Sequence, residues 1–166
     1  VRPKVWFVAA AAVAIIVVVG GAFAAWAVAR IPYVVAVGTP IRHDDFLFTV
    51  TSVQRRFAGG SAHYLVAVRV QNQARVVDYR WRDSIAYVRA FDNGGFGHDF
   101  FPATHGSFIL RAGDERTAKL AFDIPAGYSS ANLRFWDGIF MGDALNGAAY
   151  GKAIVPLEAY HPPFGT

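Results

Sequence analysis

The chain has 166 residues, 16 Lys+Arg against 12 Asp+Glu, a formal net charge of +4 and no cysteine. Without cysteine it can form neither disulfides nor thiolate metal sites. The three charges before residue 34, Arg2, Lys4 and Arg30, are all positive, and the rest of the chain is nearly neutral. That balance lacks the basic footprint of a nucleic-acid binder.

The first predicted element is a transmembrane helix. Residues 5–29 contain no charged or strongly polar side chain. A helix of that length rises ~37 Å, enough to cross a hydrocarbon core of ~30 Å. Trp6, Phe7, Trp26, Arg30 and Tyr33 sit at its two ends, where aromatic and basic side chains anchor a span at the headgroups. A signal peptide is the rival reading, with a small-x-small site at Ala22-Phe23-Ala24. The length of the uncharged run favours a retained helix. The short basic tail favours an N-terminus in the cytoplasm and a C-terminal domain outside the inner membrane.

Small residues recur along one face of this helix. Ala10, Ala14, Gly21 and Ala25 form small-xxx-small pairs that let a second helix approach closely. No His, Asn, Gln, Ser, Thr or acidic residue lies between Val5 and Ala29. The helix therefore has no side-chain ligand for a haem iron and no proton relay.

From Tyr33 the pattern changes to period two. Phe46, Phe48 and Val50 alternate with Leu47, Thr49 and Thr51, and Tyr64, Val66, Val68 and Val70 alternate with more polar neighbours. Ile85 and Tyr87 continue the theme, with Arg89 interrupting before Phe91. Ala118, Leu120, Phe122 and Ile124 form the clearest later run; Leu133 and Phe135 begin another, and residues 153–157 form the last. Each run is strand length and rich in β-branched or aromatic residues.

Turn signals separate the runs at Ala58-Gly59-Gly60, Asp92-Asn93-Gly94-Gly95, Ala112-Gly113-Asp114 and Pro125-Ala126-Gly127. About seven short strands predict a mainly β chain, an antiparallel β-sandwich behind one N-terminal transmembrane α-helix. The expected divisions are a tail and helix over 1–31, a linker over 32–37, the sandwich over 38–136, and a Gly- and aromatic-rich extension over 137–166.

Several segments together resemble a family. Phe46-Leu47-Phe48-Thr49-Val50-Thr51-Ser52-Val53 follows Gly38-Thr39-Pro40, and a second strand runs from Tyr64 to Asn72. Leu110-Arg111-Ala112-Gly113-Asp114-Glu115 precedes Ala121-Phe122-Asp123-Ile124-Pro125. This order resembles the DUF4352, or telokin-like, group of bacterial envelope domains over roughly Gly38 to Trp136. The resemblance implies an exported, membrane-tethered, non-enzymatic domain with an immunoglobulin-like fold. The chain departs from that group in its retained helix and in its extension from Asp137 to Thr166.

Chemistry is sparse. No nucleophile elbow, P-loop, dinucleotide fingerprint or H-E-x-x-H motif is present. His98-Asp99 with His105, Asp137 with Asp143 and Asn146, and His43-Asp44-Asp45 are the nearest to metal-ligand sets. Polar residues of Gly-rich turns explain all three more simply. The expectation is no catalytic residue, no metal, no cofactor and no small-molecule substrate.

Contact surface is the better signal. Arg80, Trp81 and Arg82 lie between predicted strands; Phe100 and Phe101 end an aromatic loop; Phe140 and Phe164 lie in the extension. Arg, Trp and Phe are frequent interface anchors, and the Arg–Trp–Arg cluster also suits a core Trp or a lipid headgroup surface. The predicted function is an accessory or scaffold subunit of an integral-membrane complex, with large bioenergetic assemblies, photosynthetic or respiratory, as hosts. Its partners are the bilayer and other membrane subunits. The alternative is a free-standing envelope binding or adhesion module.

Overall fold

The computed structural model describes residues 13–21, 32–136 and 153–158. The chain divides into two compact units, Val1–Ile31 and Pro32–Thr166. In the first, residues 13–21 are α-helical with every side chain exposed. Among the described residues no helix is long and apolar enough to cross a membrane. Ala14 and Gly21 lie in this stretch; Trp6, Phe7, Ala10, Ala25, Trp26 and Arg30 fall outside the described residues.

The second unit is a β-sandwich. Its strands are β1 (Tyr33–Val34), β2 (Pro40–His43), β3 (Phe46–Ala58), β4 (Ser61–Asn72), β5 (Tyr79–Arg82), β6 (Ala86–Phe91), β7 (Gly97–Phe100), β8 (Ser107–Leu110), β9 (Glu115–Pro125), β10 (Ser129–Phe135) and β11 (Ala153–Pro156). One sheet has the order β1-β11-β10-β6-β7, the other β2-β3-β4-β9, and β5 pairs with β8 beside them. Among the described residues the pairings are antiparallel except β1 with β11.

Strict alternation in β4 and β9 builds one wall of the core. Val66 and Val68 pair with Leu120 and Ala118, and all four are buried. Leu133, Val88 and Val155 face them from the other sheet, and Phe48 stacks on Phe135 at 5.1 Å between ring centroids. Removing these side chains from water is the main source of stability.

Four expectations change in the structure. In β6 the buried side is Ala86, Val88 and Ala90, so Tyr87 lies on the opposite face from the core. Arg89 therefore interrupts nothing; it sits beside Tyr87 and Phe91 on the outer face. Residues 32–37, read as a linker, contribute β1 and the buried Val35, whose N–H donates to the Ile154 carbonyl at 2.9 Å. Tyr79–Arg82 forms β5 rather than a connection, and Gly97–Phe100 forms β7 rather than a loop.

One buried polar side chain organises an end of the sandwich. Asn72 is 1% exposed, and its Nδ2 donates to the carbonyls of Val77 and Leu110 at 2.7 and 3.1 Å. Its Oδ1 accepts from the Ala74 N–H at 2.9 Å. The side chain thus ties the β4–β5 loop to the end of β8, and its buried amide is satisfied.

Candidate functional site

The opposite end of the sandwich carries a cleft. β3 and β4 meet in the two-residue turn Gly59-Gly60, with φ of +58° and +77°. Positive φ at both central positions is what a type I′ hairpin turn requires, and glycine adopts it without steric cost. A bulge between Val50 and Ser52 shifts the pairing by one residue. Past it, Val53, Arg55 and Phe57 take the core side of β3, opposite Val66, Tyr64 and Ala62. A bulge changes which residues face inward because the side-chain period is two.

Arg55 and Phe57 thereby line a cleft of about 460 Å³, with Tyr64, Tyr128, Ala131 and Glu158 around it. The Arg55 guanidinium stands over the Phe57 ring at 4.2 Å from its centroid and 5.5 Å from that of Tyr64. Its Nη2 lies 3.7 Å from Glu158 Oε1, too long for a hydrogen bond. The other carboxylate oxygen of Glu158 accepts from the Ser130 N–H at 3.2 Å. Burial pushes the Tyr64 phenol up, Arg55 pulls it down, and Glu158 opposes Arg55. Phe57 remains 68% exposed at the mouth. The cleft therefore offers an aromatic face, a cation and a carboxylate to an incoming group.

On the outer face of the same hairpin, His63 Nδ1 meets Asp123 Oδ1 at 2.5 Å and Nε2 meets the Ala58 carbonyl at 3.2 Å. Both ring nitrogens face acceptors, so the imidazolium is favoured and the His63 pKa lies above its ordinary value. With Nε2 turned to a carbonyl, this pair is not arranged to activate a nucleophile.

The β6–β7 hairpin uses its charges locally. Asp92 Oδ1 accepts from the N–H groups of Gly94 and Phe96, both at 2.9 Å, and Oδ2 meets His98 Nε2 at 2.9 Å. Led by the His98 contact, these bonds hold the Asp92 pKa below its ordinary value. Arg89 forms a two-pronged pair with Asp99, both contacts at 2.7 Å. His98 and Asp99 thus serve different partners. Among the described residues no group of three or more His, Asp or Glu side chains converges on a metal position.

The other candidates are placed as follows. Trp81 is fully buried and lies between Phe48 and Phe108, while Arg80 and Arg82 project outward from β5. Phe100 is half-buried, edge-on to Tyr128 at 5.1 Å. Phe101 is exposed and 6.1 Å from the Tyr87 ring. Tyr33 is half exposed at the start of the sandwich. Phe140 and Phe164 fall outside the described residues, as do Asp137, Asp143 and Asn146. The sequence reading did not single out Arg55, Phe57, Tyr64 or Glu158. The available signal was the Gly59-Gly60 turn, which brings the first three together; nothing local points to Glu158.

No family model matches the chain, and no curated protein matches it in sequence. Among solved structures it is similar to an uncharacterized β-sandwich protein from Clostridium difficile 630, with 13% identity and a TM-score of 0.49. The match covers 75% of this chain and 93% of that one.

Proposed function

We propose that this chain is a membrane-tethered, non-catalytic interaction subunit. A single transmembrane helix over residues 5–29 holds an immunoglobulin-like sandwich outside the cytoplasm, where it contacts integral-membrane proteins. The observation that carries the reading is the exposure of the described helix. Val13, Ile15, Ile16, Val17, Val18 and Val19 each expose 60–70% of their surface. Five of these are consecutive, so they cover every side of the helix. A helix that is apolar all round is stable only where lipid or protein surrounds it. The flanking uncharged sequence extends this stretch to a length that crosses a bilayer.

The cleft supports the interaction role. Arginine stacked on aromatic rings, partly exposed beside a carboxylate, is a common anchor at protein contacts. The antiparallel pairing within Gly38 to Trp136 and the core Trp81 are compatible with the envelope-domain resemblance over that range. Mild-detergent solubilisation followed by native gels and mass spectrometry tests the proposal. The expected result is co-migration with a larger integral-membrane partner in fixed stoichiometry. Migration as a lone small species contradicts it.

A further inference from the structure

We propose that the end of the sandwich where the chain enters at Pro32 is a lipid-facing surface, with Val76 and Val77 of the β4–β5 loop seated among phospholipid headgroups. This rests on the membrane-tethered reading. Contacts within the sandwich place the entry and the loop together. Tyr33 pairs with Ala153, and Ala153 shares a small crevice with His43, Phe48 and Phe135. His43 pairs with Phe46, Phe46 with Asn72, and Asn72 holds the Val77 carbonyl at 2.7 Å. Phe57, at the mouth of the cleft, lies eleven residues further along β3 than Phe46. At ~3.3 Å per residue that is about 36 Å away.

The loop has the character of an interfacial contact. Val76 is 88% exposed and Val77 55%, although Asn72 pins the backbone that carries them. Held in this way, the two β-branched side chains keep their apolar surface turned outward, and its burial in an interface is favourable. Trp136, 61% exposed, and Tyr33 lie at the same end, and such amphipathic rings suit headgroup depth. Charges there are mixed: Arg42 and Arg111 stand beside Asp44 and Asp114, and Arg75 and Asp78 flank the two valines. The seat is therefore apolar rather than electrostatic, and it requires no anionic lipid.

The absence of cysteine makes the test direct. Val76→Cys, Val77→Cys and Phe57→Cys each give the full chain a single thiol for an environment-sensitive fluorophore. Each labelled protein is reconstituted into phosphatidylcholine vesicles with and without nitroxide-bearing lipid. The expected result is blue-shifted emission and strong nitroxide quenching at 76 and 77, neither effect at 57, and no change in high salt. Water-like emission at all three positions, in protein that floats with the vesicles, overturns the lipid-facing end and leaves the tether standing. Protein that does not float overturns the tether, and the lipid-facing end with it.

Discussion

Trp81 donates its indole N–H to Oδ1 of Asp83 at 2.9 Å, from two residues away in the chain. Asp83 is itself buried, and its Oδ2 accepts from the Gly106 N–H at 2.8 Å. The carboxylate thus bridges β5 to the segment before β8. Asp83→Ala leaves the buried Trp81 indole N–H unpaired, at about 1–3 kcal/mol, and takes the acceptor from the partly buried Gly106 N–H. Trp81→Ala opens a cavity and costs about 3–5 kcal/mol. Arg80→Ala and Arg82→Ala, on the exposed face, change stability by less than ~0.5 kcal/mol. Urea denaturation of the four variants separates the core tryptophan from its exposed neighbours.

The His63–Asp123 pair predicts a pH dependence. His63 has its pKa raised in the folded state, first by the Asp123 hydrogen bond and then by the Ala58 carbonyl. Such a group contributes fully below its unfolded pKa of about 6.5 and loses that contribution as pH rises through the folded value. Stability should therefore decline modestly above about pH 6.5 in the wild type. Asp123→Asn should flatten that decline. Equal slopes in the two proteins, measured by denaturant titration across this window, contradict the assignment.

In the cleft, stability and binding should separate. The Arg55–Glu158 pair is partly exposed and long, so Arg55→Ala costs no more than ~1 kcal/mol. The same change removes the guanidinium that stacks on Phe57. Arg55→Ala and Phe57→Ala should leave the melting temperature nearly unchanged and weaken recovery of the membrane partner in pull-downs. Undiminished recovery with both variants removes the cleft from the contact surface.

Legibility in the sequence followed face polarity. In β4 and β9 large apolar residues occupy one face and polar ones much of the other, so alternation alone identified the buried side. β6 defeated the same reasoning because its inner residues are mostly small and its outer ones include Tyr87 and Phe91. Size pointed outward while burial lay inward, and Phe101 beside Tyr87 partly accounts for the aromatic outer face. The bulge after Val50 was not legible, since nothing in Val50-Thr51-Ser52 marks an extra residue. Without it Arg55 and Phe57 fall on the wrong face, and the cleft is invisible. Glu158 joins Arg55 from the far end of the chain, a juxtaposition only the tertiary fold supplies.

Helix packing gives a further expectation. A Cβ added at Gly21 meets nothing within 4 Å among the described residues. Gly21→Leu and Ala14→Leu should disrupt assembly with a neighbouring helix while the sandwich keeps its denaturation midpoint. Wild-type amounts of complex on native gels from both variants count against a helix interface.

The membrane tether is tested most directly by alkaline carbonate extraction of membranes carrying the full chain, with Ile16→Arg as comparison. An arginine at the centre of a span costs about 2.5–3.5 kcal/mol of insertion free energy. The wild-type chain is predicted to stay in the membrane pellet and the variant to pellet less completely. Release of the wild-type chain into the carbonate supernatant would contradict the account.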